Sequence, residues 1–487
     1  MHSHFASAAA LLQGHDATGL GRPPICSGTA YRPLPQPARS AYLWAMRKHV
    51  LIVLGIIVLI GIAVIAWLAW PDTARLSVDQ VAGKQPVIEA PREQVIPTVG
   101  IAKPVGWANG AKPSVAPGLT IQPFATNLDH PRWLYELPNG DVLVAETNSP
   151  PRPSSGIVDR VMNFFLGRAG AAVPSANRIT LLRDTNGDGK ADLKTPFMTG
   201  LNSPFGMVLF DGQLYIADTD ALVRVPYVEG ETKITAKPEK VVPLRGGGNH
   251  WARNVIASGD GQTLFVSVGS ASNIADNGLD AEKNRAAILQ VWPKDKNWRI
   301  YAAGLRNPTG MALNPANGRL WTVVNERDML GSDLAPDYLT QVEFGDHFGW
   351  PWYYWGGYPD NRVQPAQPAL QQYVKRPDYA LGPHVAALGL TFSTGAKLGE
   401  RFANGAFIGE HGSWNRKPPS GYKVVFVPFG PGAFPTPKAK PVDVVSGFLN
   451  AKGEAQGRPV GVIVDKTGGL LVADDVGNVV WKVSAAR

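Results

Sequence analysis

The chain has 487 residues, with 53 Gly, 42 Pro, a single Cys and 18% charged residues. That much Gly and Pro excludes long helical bundles and coiled coils, because each costs a helix interior roughly 1–3 kcal/mol. An apolar content of 44% excludes wholesale disorder, and one Cys excludes an internal disulfide framework or a multi-cysteine metal centre. The formal charge of +8 is partly terminal, since Arg22, Arg32, Arg39, Arg47 and Lys48 face only Asp16 in residues 1–70. The rest is too mild and too scattered for a nucleic-acid surface.

Residues 1–45 are rich in Ala, Pro, Gly and Ser, carry Cys26, and show no sustained period. Met46 opens MRKHVLIVLG, the way a signal anchor opens, so residues 1–45 read as an unstructured or mis-assigned extension. Val50 to Trp70 carries no charge and is long enough to span a bilayer core of roughly 30 Å. Arg47, Lys48 and His49 precede it, and Trp67 and Trp70 lie at its far end. This polarity predicts that residues 46–70 anchor the chain in a bacterial inner membrane, with the remainder in the periplasm. A cleaved signal peptide is the competing reading, although no A-x-A site follows the run. From Pro71 to Pro117 the chain is proline-rich and aperiodic, which predicts a tether. The folded domain is expected over residues 118–487.

Within that domain one pattern recurs: a short β-rich run, a Gly, Asn-Gly or Asp-Gly turn, and an apolar run ending in a small or acidic residue. It appears as PRWLYELPNGDVLVAET (131–147), PFGMVLFDGQLYIADTD (204–220), HWARNVIASGDGQTLFVSVGS (250–270) and PTGMALNPANGRLWTVVNERD (308–328). LGLTFSTGAKLGERFANGAFIGEHG (388–412) and PVGVIVDKTGGLLVADD (459–475) complete the series. Each reads as a β-hairpin. Six hairpins predict an all-β, six-bladed propeller, each blade four-stranded, with LTIQPFA (119–125) pairing beside NVVWKV (478–483) to shut the ring. A pair of β-sandwiches is the alternative, but it leaves the sixfold recurrence unexplained.

Chemistry in a propeller gathers where strand ends meet at one mouth. GGGNHWARN (246–254) brings His250 to a strand start, where a neutral imidazole suits general-base work. GLRNPTG (304–310) puts Arg306 and Asn307 at the equivalent place one blade later. VVNERDMLGSD (323–333) offers carbonyls and acids for a hard cation. EHGSWNRKPPSGY (410–422) supplies His411, Arg416 and Lys417, and GRPVG (457–461) supplies Arg458. A ring of Arg306, Arg416 and Arg458 would attract a polyanion. In DTNGDGKAD (184–192), Asp184, Asn186, Asp188 and Asp192 hold the first, third, fifth and ninth places of a calcium loop, with the Lys190 carbonyl seventh. Its bidentate acid is missing, with Thr195 in that place, and the site would be structural. HFGWPWYYWGGY (347–358) is either core packing or, at an exposed mouth, a stacking platform.

GNHWARNVIAS, VSVGSASNI, GLRNPTGMALNP, LWTVVNERD, FGWPW, HGSWNR and RPVGVIV together resemble the glucose/sorbosone dehydrogenase family, nearest its membrane-anchored L-sorbosone dehydrogenase-like branch. The resemblance covers roughly residues 118–487. It implies oxidation of an aldose or related sugar aldehyde or alcohol, with pyrroloquinoline quinone (PQQ) and Ca²⁺ as cofactors. A periplasmic cytochrome or membrane quinone would accept the electrons. By motif position His250 matches the family's base, and Arg306 and Asn307 its cofactor-contacting pair. Arg458 matches a residue holding the PQQ carboxylates, and Glu326 and Arg327 supply the two backbone carbonyls that hold the cofactor Ca²⁺. The family's lysine has no clean match, and His411 or Arg416 takes its part. Where the soluble glucose enzymes carry an Asp that orients the base, this chain has Ser270. Two other classes stay open on these residues. One is a non-catalytic propeller that binds a carbohydrate or protein ligand. The other is a metal-dependent hydrolase using Glu146, Asp218 and Asp474.

Overall fold

The computed structural model describes residues 39–68, 70–94, 96–108, 110–151, 167 and 173–486. Cys26 and most of the extension over residues 1–45 lie outside them. Contacts divide the chain into Met1–Ile65 and Ala66–Arg487.

The first unit carries one helix, Arg39–Leu68. Its Tyr42–Trp67 stretch is long and apolar enough to cross a membrane by length and composition. The helix starts upstream of Met46 because nothing between Ser40 and Ala45 breaks it, and Lys48 lies 3.6 Å from the centre of the Trp44 ring one turn back.

The second unit is the six-bladed propeller. Its inner strands are Pro131–Glu136, Met207–Phe210, Arg253–Ala257, Pro308–Leu313, Ala387–Phe392 and Pro459–Val464. Each pairs antiparallel with a second strand: Val142–Glu146, Gln213–Asp218, Leu264–Val268, Leu320–Val324, Gly405–Glu410 and Leu470–Asp474 respectively. Two further strands complete each blade. In the sixth blade the outermost is Leu119–Ala125, which pairs Ile121 with Val483 of the last strand, as the sequence predicts. Ser114–Val115 adds a fifth strand to the fifth blade.

The recurring glycine at inner strands, in P-x-G for Gly206, Gly310 and Gly461 and in Ala-Leu-Gly for Gly389, has a steric cause. A Cβ on Gly206 would lie 2.3 Å from Asn254 Oδ1, on Gly310 2.7 Å from the Leu388 oxygen, on Gly389 2.2 Å from the Val460 oxygen, and on Gly461 2.8 Å from the Arg132 oxygen. Each is the backbone or a buried side chain of the next inner strand, so glycine sets how closely the blades meet around the axis. The core lies between blades; Phe197, Phe205, Trp321 and Tyr379, for example, are fully buried. The aromatic run 347–358 is packing: Phe348, Trp350, Tyr353, Tyr354 and Trp355 are all buried, with Tyr338 stacked on Phe348.

The segment read as a tether is instead a strap laid along the propeller. Gly83 bridges Ala380. The Arg92 and Gln94 amides bond the Leu330 and Met329 carbonyls, Gly100 bonds Trp414, and Val105 bonds Ala455. Asp72, Arg92 and Asp333 form an ion-paired chain at 2.8 and 2.9 Å. These attachments use main-chain groups and isolated side chains, so they leave no apolar period in the sequence.

Gly389→Ala should destabilise the propeller by roughly 1–3 kcal/mol through overpacking. Urea unfolding measures this, and an unchanged midpoint would refute the close-approach role.

Candidate functional site

The inner strands start on one face, so the residues that precede them share a mouth with those that follow the second strands. Two polar clusters form there.

The first is built on the loop Arg245–His250. Two buried arginines hold its main chain. Arg253 donates to the Arg245 and His250 carbonyls, both at 2.7 Å. Arg285 donates to Gly246 and Gly247 at 3.0 and 2.9 Å, to His250 at 3.0 Å, and across to Gly269 at 2.9 Å. Neither has a salt-bridge carboxylate among the described residues, and burial pushes Arg253 down to about 9 and Arg285 to about 10. Gly248 is required by its φ of 77° and by the Ala271 oxygen, 2.5 Å from where a Cβ would sit.

His250 Nδ1 lies 2.9 Å from both the carbonyl and the hydroxyl oxygen of Ser270. The hydroxyl donates onward to the Ser272 carbonyl at 2.7 Å, and a carbonyl only accepts. Nδ1 therefore carries the proton, and Nε2 is left as a lone-pair acceptor. Ser270 fixes the tautomer without supplying charge. Desolvation first, then the Arg306 charge, hold the imidazole well below its usual range, so His250 is neutral.

Arg306 and Asn307 reach the same cluster, as the motif predicts. Arg306 donates to the Asn273 side chain at 2.9 Å, to Asp328 at 3.1 Å and to the Glu326 carbonyl at 2.7 Å. Asn307 Oδ1 is buried with no hydrogen-bond partner among the described residues. Asp328 is shared with His384 Nδ1 at 3.3 Å. Burial is the largest single influence and disfavours the His384 imidazolium, but the hydrogen bond and charge of Asp328, with the Gly331 carbonyl and the Asp337 charge, together raise the pKa.

The second cluster centres on Asp475. Arg132 Nη1 approaches its Oδ2 at 2.5 Å, His411 Nε2 at 2.8 Å and His130 Nε2 at 3.4 Å. Burial alone would raise this carboxyl; His411, His130 and Arg132 together hold it well below the carboxylate range. Arg458 is buried above the Tyr422 ring, 5.2 Å from its centre. Its amide bonds Asp474 at 2.8 Å and its Nη2 bonds the Ala102 carbonyl at 3.2 Å. The Nε atoms of Arg132 and Arg458 are buried without a partner among the described residues.

Two expectations need correction. Arg416 does not join Arg306 and Arg458 in a ring. Its donors go to the Ser332 and Pro418 carbonyls at 2.8 and 2.9 Å, beneath the strap, and Arg132 provides the further guanidinium near Arg458. His411 does not replace a lysine's charge, because burial pushes it down to about 4 and it stays neutral. The Glu326 carbonyl expected on Ca²⁺ accepts a hydrogen bond from Arg306 at 2.7 Å, and the Arg327 side chain, as distinct from the carbonyl expected on Ca²⁺, lies in a buried pair with Asp360. The loop 184–192 folds on itself: Asp184 accepts from the Gly187 and Gly189 amides, Asn186 from Asp188, Asp188 from Lys190, and Asp192 from Thr185. No group of three or more His, Cys, Asp or Glu among the described residues is arranged to hold a metal ion. Nor do Glu146, Asp218 and Asp474 gather as metal ligands. Glu146 pairs with Arg178, Asp218 is pushed up to about 7 by burial, and Asp474 binds two indole N–H groups.

The sequence reading missed His130, Arg132, Asp475, Arg285, Asp328 and His384. Asp475 left a signal as the second acid of ADD, and Asp328 as the acid closing NERD, both at repeat-equivalent strand ends.

A family model described as TrAA12-like matches residues 113–344 and 358–486. An uncharacterised protein of Borreliella burgdorferi is 29% identical over 294 residues, covering 58% of this chain and 76% of its own. A PQQ-dependent pyranose dehydrogenase of Coprinopsis cinerea is 28% identical over 224 residues, covering 37% of this chain and 30% of its own length. The structure of its PQQ domain in the holo form superposes with a TM-score of 0.62 at 20% identity, covering 79% of this chain and all of that domain. A Trichoderma reesei protein of Carbohydrate-Active Enzymes Family AA12 superposes at 0.63 with 19% identity, over 80% and 99% of the two chains.

The His411 pKa of about 4 lies below its ordinary 6.5. The folded state therefore binds fewer protons than the unfolded state between those values, and stability falls as pH drops from about 6.5 toward 4. His411→Gln should flatten that limb in a series of denaturant titrations. Asp475→Asn, which leaves Arg132 buried without its anion, should cost about 3–5 kcal/mol at pH 7.

Proposed function

The chain belongs to the TrAA12-like family, and from that premise we propose that it is a PQQ-dependent dehydrogenase of an aldose or a related sugar aldehyde or alcohol. The observation that carries the reading is His250: a neutral imidazole with a fixed acceptor nitrogen, in one cluster with Arg306 and a buried Asn307 oxygen lacking a partner among the described residues. The named relative acts with PQQ on a pyranose, which supports the same substrate class.

The residues fit a planar quinone bearing carboxylates. Among the described residues, Arg132 and Arg458 each keep a buried N–H without an acceptor, and Asn307 keeps a buried acceptor without a donor. Arg306 and Asn307 would hold the quinone end, and Arg458 with Arg132 the carboxylates. When bound, PQQ supplies a two-electron acceptor for hydride. His250 would take the substrate hydroxyl proton at Nε2. Arg285 and Arg253 hold that nitrogen in place through the loop carbonyls. Arg306 keeps a positive charge beside the base, which favours negative charge on a reacting oxygen nearby.

Calcium dependence belongs to the same proposal. An ion on the Glu326 and Arg327 carbonyls would have to share or displace the hydrogen bond that Arg306 makes to the Glu326 carbonyl. The helix would anchor the chain in the inner membrane with the propeller in the periplasm, and a periplasmic cytochrome or membrane quinone would take the electrons.

Purified chain titrated with PQQ, with and without Ca²⁺, should show a concentration-dependent rise in melting temperature. His250→Ala should bind PQQ as tightly as the parent but lose roughly 10²–10⁴-fold in turnover of aldoses with an artificial acceptor. A folded chain that PQQ does not stabilise would favour a non-catalytic carbohydrate- or protein-binding propeller instead.

A further inference from the structure

The strap lies outside the residues that the family model matches, which begin at 113. It nonetheless runs along the mouth. Its first part touches the outer strands, where Gly83 bridges Ala380 and Lys440 donates to the Ala82 carbonyl, but three of the loops it meets follow a second strand or precede an inner one: Met329–Asp333 in the fourth blade, Trp414–Lys417 in the fifth, and Ala455–Arg458 in the sixth. Its attachments are specific. Arg92 binds Asp72 through two nitrogens, at 2.8 and 3.0 Å, and Asp333 at 2.9 Å. The Arg75 amide adds a bond to Asp333 at 2.7 Å. Asn415 donates to the buried Thr98 at 2.9 Å. Gly100 passes so close to the fifth blade that a Cβ would lie 2.4 Å from the Arg416 carbonyl oxygen.

Beyond Gly100 the strap meets Arg458 directly. The Ala102 carbonyl accepts Arg458 Nη2, and Ala102 itself is buried. Trp107 packs edge-on against Trp481 and Phe448 and donates its indole N–H to Asp474 at 2.7 Å. Asp474 in turn receives the Arg458 amide. The guanidinium and the backbone of Arg458 are thus both set by residues supplied from the strap, while its Nε stays free of any described partner.

We propose that Asp72–Trp107 forms a wall of the binding site, in which Ala102 and Trp107 are positioning residues that hold Arg458 ready for a carboxylate of the bound ligand. The carboxylate-bearing ligand rests on the PQQ reading above; the hold on Arg458 does not. An arginine whose side chain is pre-set loses less freedom when it binds an anion, so release of the wall weakens binding without removing a charge.

The test uses the full chain carrying Gly100→Ala with Arg92→Ala, which pushes the strap off at one point and unties it at another. Trp107→Phe is the milder variant, keeping an aromatic ring but not the donor. Arg458 is labelled with phenylglyoxal in the absence of any ligand and quantified by mass spectrometry, and PQQ affinity is measured separately. We expect several-fold faster labelling of Arg458 in both variants and roughly ten-fold weaker PQQ binding in the double variant, with the propeller's cooperative unfolding retained. Labelling and affinity that both match the parent, in either folded variant, would overturn the proposal. Should PQQ fail to bind even the parent, the cofactor reading falls, and the labelling rates alone decide whether the strap holds Arg458.

Discussion

Closure of the ring is the constraint on which the rest of the propeller depends. The sixth sheet is finished by Leu119–Ala125, drawn from the start of the domain, against the last strand of the chain. An open array of blades would leave two sheet edges with unpaired amides and carbonyls; here they satisfy each other. Closure also fixes which residues meet. Arg132 and Asp475 are 343 positions apart in sequence, yet stand within 2.5 Å. The Asp475 cluster exists only once the first and last blades are side by side, so half of the mouth is a product of closure rather than of any single blade.

The two halves of the mouth solve the same electrostatic problem in different ways. Around His250 the positive charges of Arg253 and Arg285 are absorbed by main-chain carbonyls, and Arg306 is balanced by Asp328. The base stays neutral because it is desolvated and faces guanidinium groups. Around Asp475 one carboxylate serves an arginine and two neutral histidines. The first half presents a lone pair and an amide oxygen; the second presents N–H donors. A ligand that spans both must accept at one end and offer an acidic or electrophilic function at the other.

The blades were legible in the sequence because their signals are local. Alternating strands, Asn-Gly and Asp-Gly turns and the close-packed Gly310, Gly389 and Gly461 each occupy a few adjacent residues. His250, Arg306, Asn307 and Arg458 were legible for the same reason, as repeat-equivalent positions at strand starts. What escaped was set by neighbours from other blades. Arg416 reads as a mouth residue until the Ser332 and Pro418 carbonyls claim it. His411 reads as a cation until burial neutralises it. The strap reads as a linker because backbone hydrogen bonds carry no residue code. The carboxylates of 184–192 have calcium-loop spacing, yet they equally suit the turn amides that they bind.

The grip on the His250 loop has a consequence for how this surface can change. Arg253 and Arg285 grasp carbonyl oxygens, and every amino acid brings one of those. The Arg245 side chain is exposed, and the loop's path is carried by the carbonyls and by the two glycines with positive φ, Gly247 and Gly248. Replacing the Arg245 side chain alters what the rim offers to a passing molecule while the imidazole stays where it is. The makeup of the rim and the placement of the imidazole are therefore separately inherited here: drift at the rim can change what it offers without moving the group beneath it.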